Sequence, residues 1–189
     1  PVEQYSHPLV LDLPFLDHPY AVFERLVSRL GARHACLLES LSGPAEAVRG
    51  SMITLAPALR IRTKGSELEL AGGEAIVAPL RAALLAGGVV SDSGGTGRLH
   101  VLPGATPLDV LRVIQCQFAL DLPPAAPPLF AFGFCGYFGY DVVRHLERLP
   151  ATLPDDLGCP DVSLILPRAV LSFDHRGGPT RLFLHQIDG

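Results

Sequence analysis

Apolar positions along the chain change their period repeatedly, and each change marks an element. Residues 1–16 read as extended, with Val10, Leu11 and Leu13 apolar and Pro8 and Pro14 opposing a helix. From Pro19 the spacing turns helical: Val22, Phe23, Leu26, Val27 and Leu30 form one stripe, Asp17 or His18 serves as cap, and Gly31 stops it. Residues 34–39 are too continuously apolar at Cys36, Leu37 and Leu38 for a solvated face, which predicts a strand ending in Glu39 and Ser40. A turn at Ser42, Gly43 and Pro44 precedes a second short strand, residues 48–55, which Pro57 should break.

Strict alternation follows. Leu59, Ile61 and Thr63 alternate with Arg60 and Arg62, and Leu68 and Leu70 alternate with Glu67 and Glu69, the pattern of a hairpin. A two-residue loop at Lys64 and Gly65 would set Arg62 against Glu67, Arg60 against Glu69, Ile61 against Leu68 and Leu59 against Leu70. Lys-Gly is not the preferred turn pair, so a longer loop stays open. Residues 76–85 read as a helix starting in earnest at Pro79 and ended by Gly87 and Gly88. Thr106, Pro107 and Asp109 open another helix through a capping box with Asp for Glu, and its stripe is Leu108, Leu111, Val113, Ile114 and Phe118. Between these helices, residues 91–98 form a small, glycine-rich surface loop. Its Gly-Gly-Thr-Gly lacks the spacing of a phosphate-binding loop.

Residues 123–128 are a proline-rich connector into the densest aromatic stretch, 129–150. There Phe130, Phe132, Phe134, Tyr137, Phe138 and Tyr140 are interleaved with Gly133, Gly136 and Gly139. Such density suits a strand buried on both faces, its glycines serving either packing or a close backbone approach. From Asp141, as N-cap, the period becomes helical through Val142, Val143, Leu146 and Leu149 up to Pro150. Residues 160–173 and 180–187 then read as two long strands joined by a tight loop. The result is an α+β chain with a largely antiparallel sheet flanked by helices.

Composition narrows the partners. With 48% apolar and 18% charged residues, the 189-residue chain has ample material for one core. A net charge of −4 opposes a nucleic-acid role, and Glu67 and Glu69 lie close enough to neutralise Arg60, Arg62 and Lys64. Cys36, Cys116, Cys135 and Cys159 form no Cys-x-x-Cys pair and read as reduced, mostly buried thiols of a cytoplasmic protein. No apolar run reaches the length of a membrane span.

Residue by residue, no catalytic template is met. There is no Gly-x-Ser-x-Gly elbow, no His-Glu-x-x-His and no zinc-spaced Cys/His cluster. Asp174 and His175 imitate part of a triad or stabilise a turn, and Glu39 with Ser40 is an acid and a hydroxyl at a strand mouth or a solvated strand end.

The order of segments carries more. Leu37-Leu38-Glu39-Ser40, then Arg49, Ser51, Ile53 and Pro57, then the run of Phe132, Gly133, Gly136, Tyr137, Tyr140, Asp141, Arg144, Glu147, Leu149 and Pro150, then Pro160-Asp161 and Phe173-Asp174-His175 follow one another. In this order the chain resembles the N-terminal region of anthranilate synthase component I and, more distantly, that of aminodeoxychorismate synthase component I.

The resemblance implies an antiparallel half-sandwich, residues 1–189 being a regulatory domain completed by its own C-terminal catalytic domain. That second domain would hold chorismate and Mg2+, so no catalytic or metal-binding residue is expected in residues 1–189. It also implies L-tryptophan as feedback inhibitor on Leu38, Glu39, Ser40, Gly50 and Ser51. A zwitterionic amino acid needs an acceptor for its ammonium and an apolar slot for its ring. Glutamine amidotransferase component II would supply ammonia for the conversion of chorismate to anthranilate and pyruvate. Gly50 stands where the family often carries an aromatic or basic residue, and Thr54 and Ala56 replace a usual Gly and Asp. The alternatives are the aminodeoxychorismate enzyme and a stand-alone amino-acid-binding module.

Overall fold

The computed structural model describes residues 4–40, 50–92, 98–120, 132–147, 149 and 155–187. The expected turn at 42–44, most of the loop at 91–98 and the proline connector lie outside the described residues. The strands are β1 (Gln4–Leu13), β2 (Ala35–Glu39), β3 (Gly50–Lys64), β4 (Glu67–Gly72), β5 (Val90–Asp92), β6 (Leu99–Val101), β7 (Phe118–Leu120), β8 (Cys135–Phe138), β9 (Val162–Asp174) and β10 (Thr180–Ile187). The helices are α1 (Pro19–Leu30), α2 (Glu74–Ala86) and α3 (Pro107–Gln115). The strands form one sheet in the order β5-β6-β4-β3-β9-β10-β1-β7, with β2 also on β3 and β8 also on β9. Among these pairings only β1 with β7 is parallel. The class is α+β with a largely antiparallel sheet, as the apolar periods predict.

Two long strands form the spine. β3 pairs with β9 from Gly50↔Asp174 to Thr63↔Val162, with a bulge between Pro57 and Leu59. The expected break at Pro57 therefore does not occur. On its other edge β3 pairs with β2 up to Leu55 and with β4 from Leu59, so Pro57 falls between those two partners. A residue without an N–H is tolerated there and at a bulge.

The bulge also decides which helix covers which face. Along β9, Val162, Leu164 and Leu166 enter the larger core with Ile76, Leu80 and Leu84 of α2 and Val110 and Ile114 of α3. Leu171 and Phe173, of opposite parity, enter a second core with Val22, Phe23 and Leu26 of α1. Since alternate residues point to opposite faces, α1 lies on one face of the sheet and α2 with α3 on the other. Ile53 and Ile61 on β3 share parity but serve different cores, because the extra residue at the bulge inverts the alternation.

Several local expectations are corrected. The hairpin turn is Gly65 and Ser66, so Lys64 faces Glu67, Arg62 faces Glu69, Ile61 faces Leu70 and Arg60 faces Ala71. Gly65 takes φ +54°, a conformation that favours glycine, and its N–H donates to Asp161 Oδ2 at 2.7 Å. Partners shift by two residues, which leaves the faces unchanged. Helix α2 begins at Glu74 rather than Pro79, since the amides of Ile76 and Val77 already donate to Gly73 O and Ile76 is anchored in the core. Helix α1 has His18 at its N-cap without a side-chain cap bond, and Gly31 N–H closes it on Val27 O at 2.8 Å. The capping box of α3 is formed: Thr106 Oγ1 accepts from the Asp109 amide and Asp109 Oδ2 accepts from the Thr106 amide. Phe118 leaves that helix and starts β7.

The aromatic stretch differs most. Its described strand is only β8, an edge strand on β9 with Tyr137 45% and Phe138 53% exposed. The expected helix is a 3-10 segment, Tyr140–His145, in which Val142 is buried; Leu146, just after it, is exposed. Asp141 does not cap it; it pairs with Arg144 at 2.7 Å. The glycines explain the difference, for a Cβ at Gly136 would strike Ser163 O and the Leu164 backbone. Here the glycines serve backbone approach at an edge, and they leave the intervening rings without a covering layer.

Candidate ligand-binding cleft

The cleft that gathers the sequence motifs lies where β2, β3 and β9 end together. Cys36, Leu37 and Leu38 pair antiparallel with Thr54, Ile53 and Met52, and the ladder closes on Glu39↔Ser51. On the other side Gly50, Ser51 and Met52 pair with Asp174, Phe173 and Ser172. Leu38, Glu39, Ser40, Gly50, Ser51, Met52 and Ser172 line a cleft of about 180 Å³. All five residues suggested by the family resemblance therefore sit on one cleft. Met52 and Ser172 complete it, and Ser172 could not be found from spacing because it reaches the site only through strand pairing.

Alternation assigns the side chains to different faces. Leu38, Met52 and Ser172 share one face, whereas Glu39, Ser51 and Phe173 share the other. Glu39 thus borders the first cleft through its main chain. It also lines a second cleft, about 300 Å³, with Phe15, Leu16, Asp17, Pro19, Phe173, Asp174 and His175. The Tyr20 phenol on α1 is held above its ordinary pKa, mainly by the Glu24 carboxylate, with a smaller push from Glu39. That influence agrees with a Glu39 carboxylate on the α1 side.

Polar partners are well defined at this end. Ser51, only 4% exposed, hydrogen-bonds through Oγ to His175 Nε2 at 3.0 Å. Asp174 Oδ1 accepts from the Arg176 amide at 2.9 Å, which is the turn-stabilising alternative of the sequence reading. Asp174 and His175 thus meet a serine, but the carboxylate is engaged by its own turn. Leu38 is 41% exposed, so the cleft has an open apolar wall. Ligand sites typically occupy about 300–1,000 Å³. A cleft near 180 Å³ has room for part of an amino-acid-sized ligand, and its polar lining comes from Ser40, Ser172 and the strand ends at Glu39, Gly50 and Ser51.

Of the basic run, only Arg62 meets one of the two expected acids, 4.0 Å from Glu69; Lys64 pairs instead with Asp155 and, at 3.6 Å, with Asp161, Arg60 donates to Arg33 O, and Glu67 pairs with Arg98. Among the described residues no group of three His, Cys, Asp or Glu side chains could hold a metal ion. The four cysteines are free but not buried as expected: Cys116 and Cys159 are exposed, and Cys36 and Cys135 are half-buried. Burial, with a smaller contribution from Cys36, pushes the Cys135 thiol pKa up. No helix among the described residues is long and apolar enough to cross a membrane.

A largely antiparallel α+β sheet with a small recess at its strand ends is the class that fold and site define. The chain is a homologue of anthranilate synthase component 1 and of 2-amino-4-deoxychorismate synthase. It is 31% identical over 166 residues to the 2-amino-4-deoxychorismate synthase of Streptomyces globisporus, covering 87% of this chain and 32% of that protein. It is 30% identical over 173 residues to anthranilate synthase component 1 of Acinetobacter calcoaceticus, covering 89% of this chain and 30% of that one. A shorter stretch of 69 residues is 50% identical to the Thermus thermophilus component 1. The chain thus spans about a third of the length of the relatives that match most of it. The crystal structure of anthranilate synthase component I from Streptococcus pneumoniae aligns over 94% of this chain and 32% of its own, with TM-score 0.42 and 17% identity. No family model matches the chain.

Proposed function

We propose that residues 1–189 form the N-terminal regulatory domain of an anthranilate synthase component I and bind L-tryptophan as feedback inhibitor. The observation that carries this reading is the convergence of Leu38, Glu39, Ser40, Gly50 and Ser51 on one cleft, at the paired ends of two antiparallel strands. Leu38 and Met52 offer an apolar wall to an aromatic side chain. Ser40, Ser172 and strand-end carbonyls accept from an ammonium group, and the Glu39 carboxylate behind the strand adds negative potential.

The whole enzyme would convert chorismate and ammonia to anthranilate and pyruvate, the ammonia coming from a glutamine amidotransferase component II. Chorismate and Mg2+ would be held by the C-terminal catalytic domain, outside these residues. Two features support an incomplete unit. The cleft is small for its ligand, and Tyr137, Phe138, Tyr140 and Leu146 form an apolar region at the edge strand β8, suited to burial against a further domain. Linkage then requires tryptophan and chorismate to oppose each other by the same free energy.

The test is Ser40→Phe in the full-length protein. A bulky ring in the cleft is expected to abolish inhibition by tryptophan while anthranilate is still formed from chorismate, ammonia and magnesium. Inhibition that survives the substitution refutes the cleft assignment. Residues 1–189 alone are expected to give no anthranilate fluorescence under the same conditions.

A second reading, the corresponding part of an aminodeoxychorismate synthase, is favoured by the Streptomyces globisporus relative, which matches 87% of the chain. Leu37-Leu38-Glu39-Ser40 favours the first reading. Identification of the product made by the full-length protein decides between them.

A further inference from the structure

The wall of this cleft is a strand end, and strand ends open unless something ties them. β3 begins at Gly50, and its last rungs on either side are Glu39↔Ser51 and Gly50↔Asp174. Gly50 has no side chain with which to anchor the wall. Ser51 does: its hydroxyl, on the face opposite Leu38 and Met52, bonds His175 Nε2 at 3.0 Å across a sequence separation of 124 residues. His175 stands in the turn between β9 and β10, and that turn is braced by Asp174 Oδ1 on the Arg176 amide. One hydrogen bond thus ties the first residues of the cleft wall to the turn that follows the neighbouring strand β9.

We infer that His175 is a positioning residue of the cleft, acting through Ser51 to hold the Gly50–Ser51 wall in the geometry that binds ligand. The inference rests on the reading of the cleft as an amino-acid site. Without the imidazole, the Ser51 hydroxyl is a buried polar group lacking this partner, and the first rungs of β3 lose their cross-sheet tie. His175 does not touch the cleft itself; it lines the recess under α1. Its effect therefore travels through Ser51.

Calorimetric titration of the full-length protein with L-tryptophan tests this. His175→Ala is expected to weaken binding by about three- to tenfold, the scale of one net hydrogen bond. His175→Gln, whose amide reaches the position of Nε2, is expected to recover most of the affinity. In a Ser51→Ala background, His175→Ala should add little, because both changes remove the same bond. Equal affinity of wild type and His175→Ala overturns the inference and leaves the cleft assignment standing. Equal losses in the Ala and Gln variants also overturn it, since they mark plain loss of packing. A wild-type protein that binds no tryptophan removes the cleft assignment, and the inference with it.

Discussion

Pro57 and Pro167 face each other across the β3–β9 ladder, one step before the bulge that turns the sheet's alternation over. Neither can donate a backbone hydrogen bond, so the ladder is thinnest where the two cores meet. Immediately before Pro57, Ala56 holds φ +49°, a left-handed conformation that an L side chain adopts at a cost.

Ala56→Gly should therefore stabilise the protein. Relief of about 1–2 kcal/mol of left-handed strain outweighs about 0.4–1 kcal/mol of added freedom in the unfolded chain, for a net gain of roughly 0.5–1 kcal/mol. A urea melt is expected to show a higher midpoint with an unchanged slope. A lower midpoint would mean that the bulge does not strain Ala56.

Gly136 is expected to be intolerant of any side chain. Its φ of +157° and the Ser163 carbonyl against it leave no room for a methyl group. Gly136→Ala should destabilise by about 1–3 kcal/mol and detach β8 from β9 before the rest of the sheet. Hydrogen exchange at the Ser163 and Ile165 amides should accelerate selectively; unchanged protection there would argue against the close approach.

Acid should weaken two specific tethers. The Asp109 carboxyl lies below its ordinary pKa of 3.8, chiefly through the Thr106 hydroxyl and then its amide, and Asp155 lies below the same value chiefly through Lys64. Both folded pKa values are depressed, so their contribution is present above the unfolded pKa and is lost as pH falls through the folded values. Thr106→Ala should flatten the decline in stability below about pH 4, besides costing about 0.5–2 kcal/mol for the lost cap. An acid limb as steep as that of the wild type would show that Asp109 does not depend on the cap.

How much was legible in the sequence follows the range of the interactions involved. The α3 capping box, the α1 stripe with its Gly31 stop and the alternation of the β3–β4 hairpin are readable because their partners lie within a few residues. The aromatic stretch misled because its density suggested burial, while glycines at 136 and 139 signalled an edge pressed against β9. Leu38, Glu39 and Ser40 were found through a resemblance of motifs, but Ser172 and His175 were not assigned to them.

By itself the chain determined its class, the kind of each main element and the apolar character of the strand that bears Leu38, since period and caps act over one or two turns. Only the tertiary structure decided that Pro57 lies between two strand partners, that one extra residue sends Ile53 and Ile61 to opposite faces, and that Ser51 meets His175 from across 124 positions. Register and bulges are set by the summed fit of distant strands, and a single shift by one residue exchanges every face.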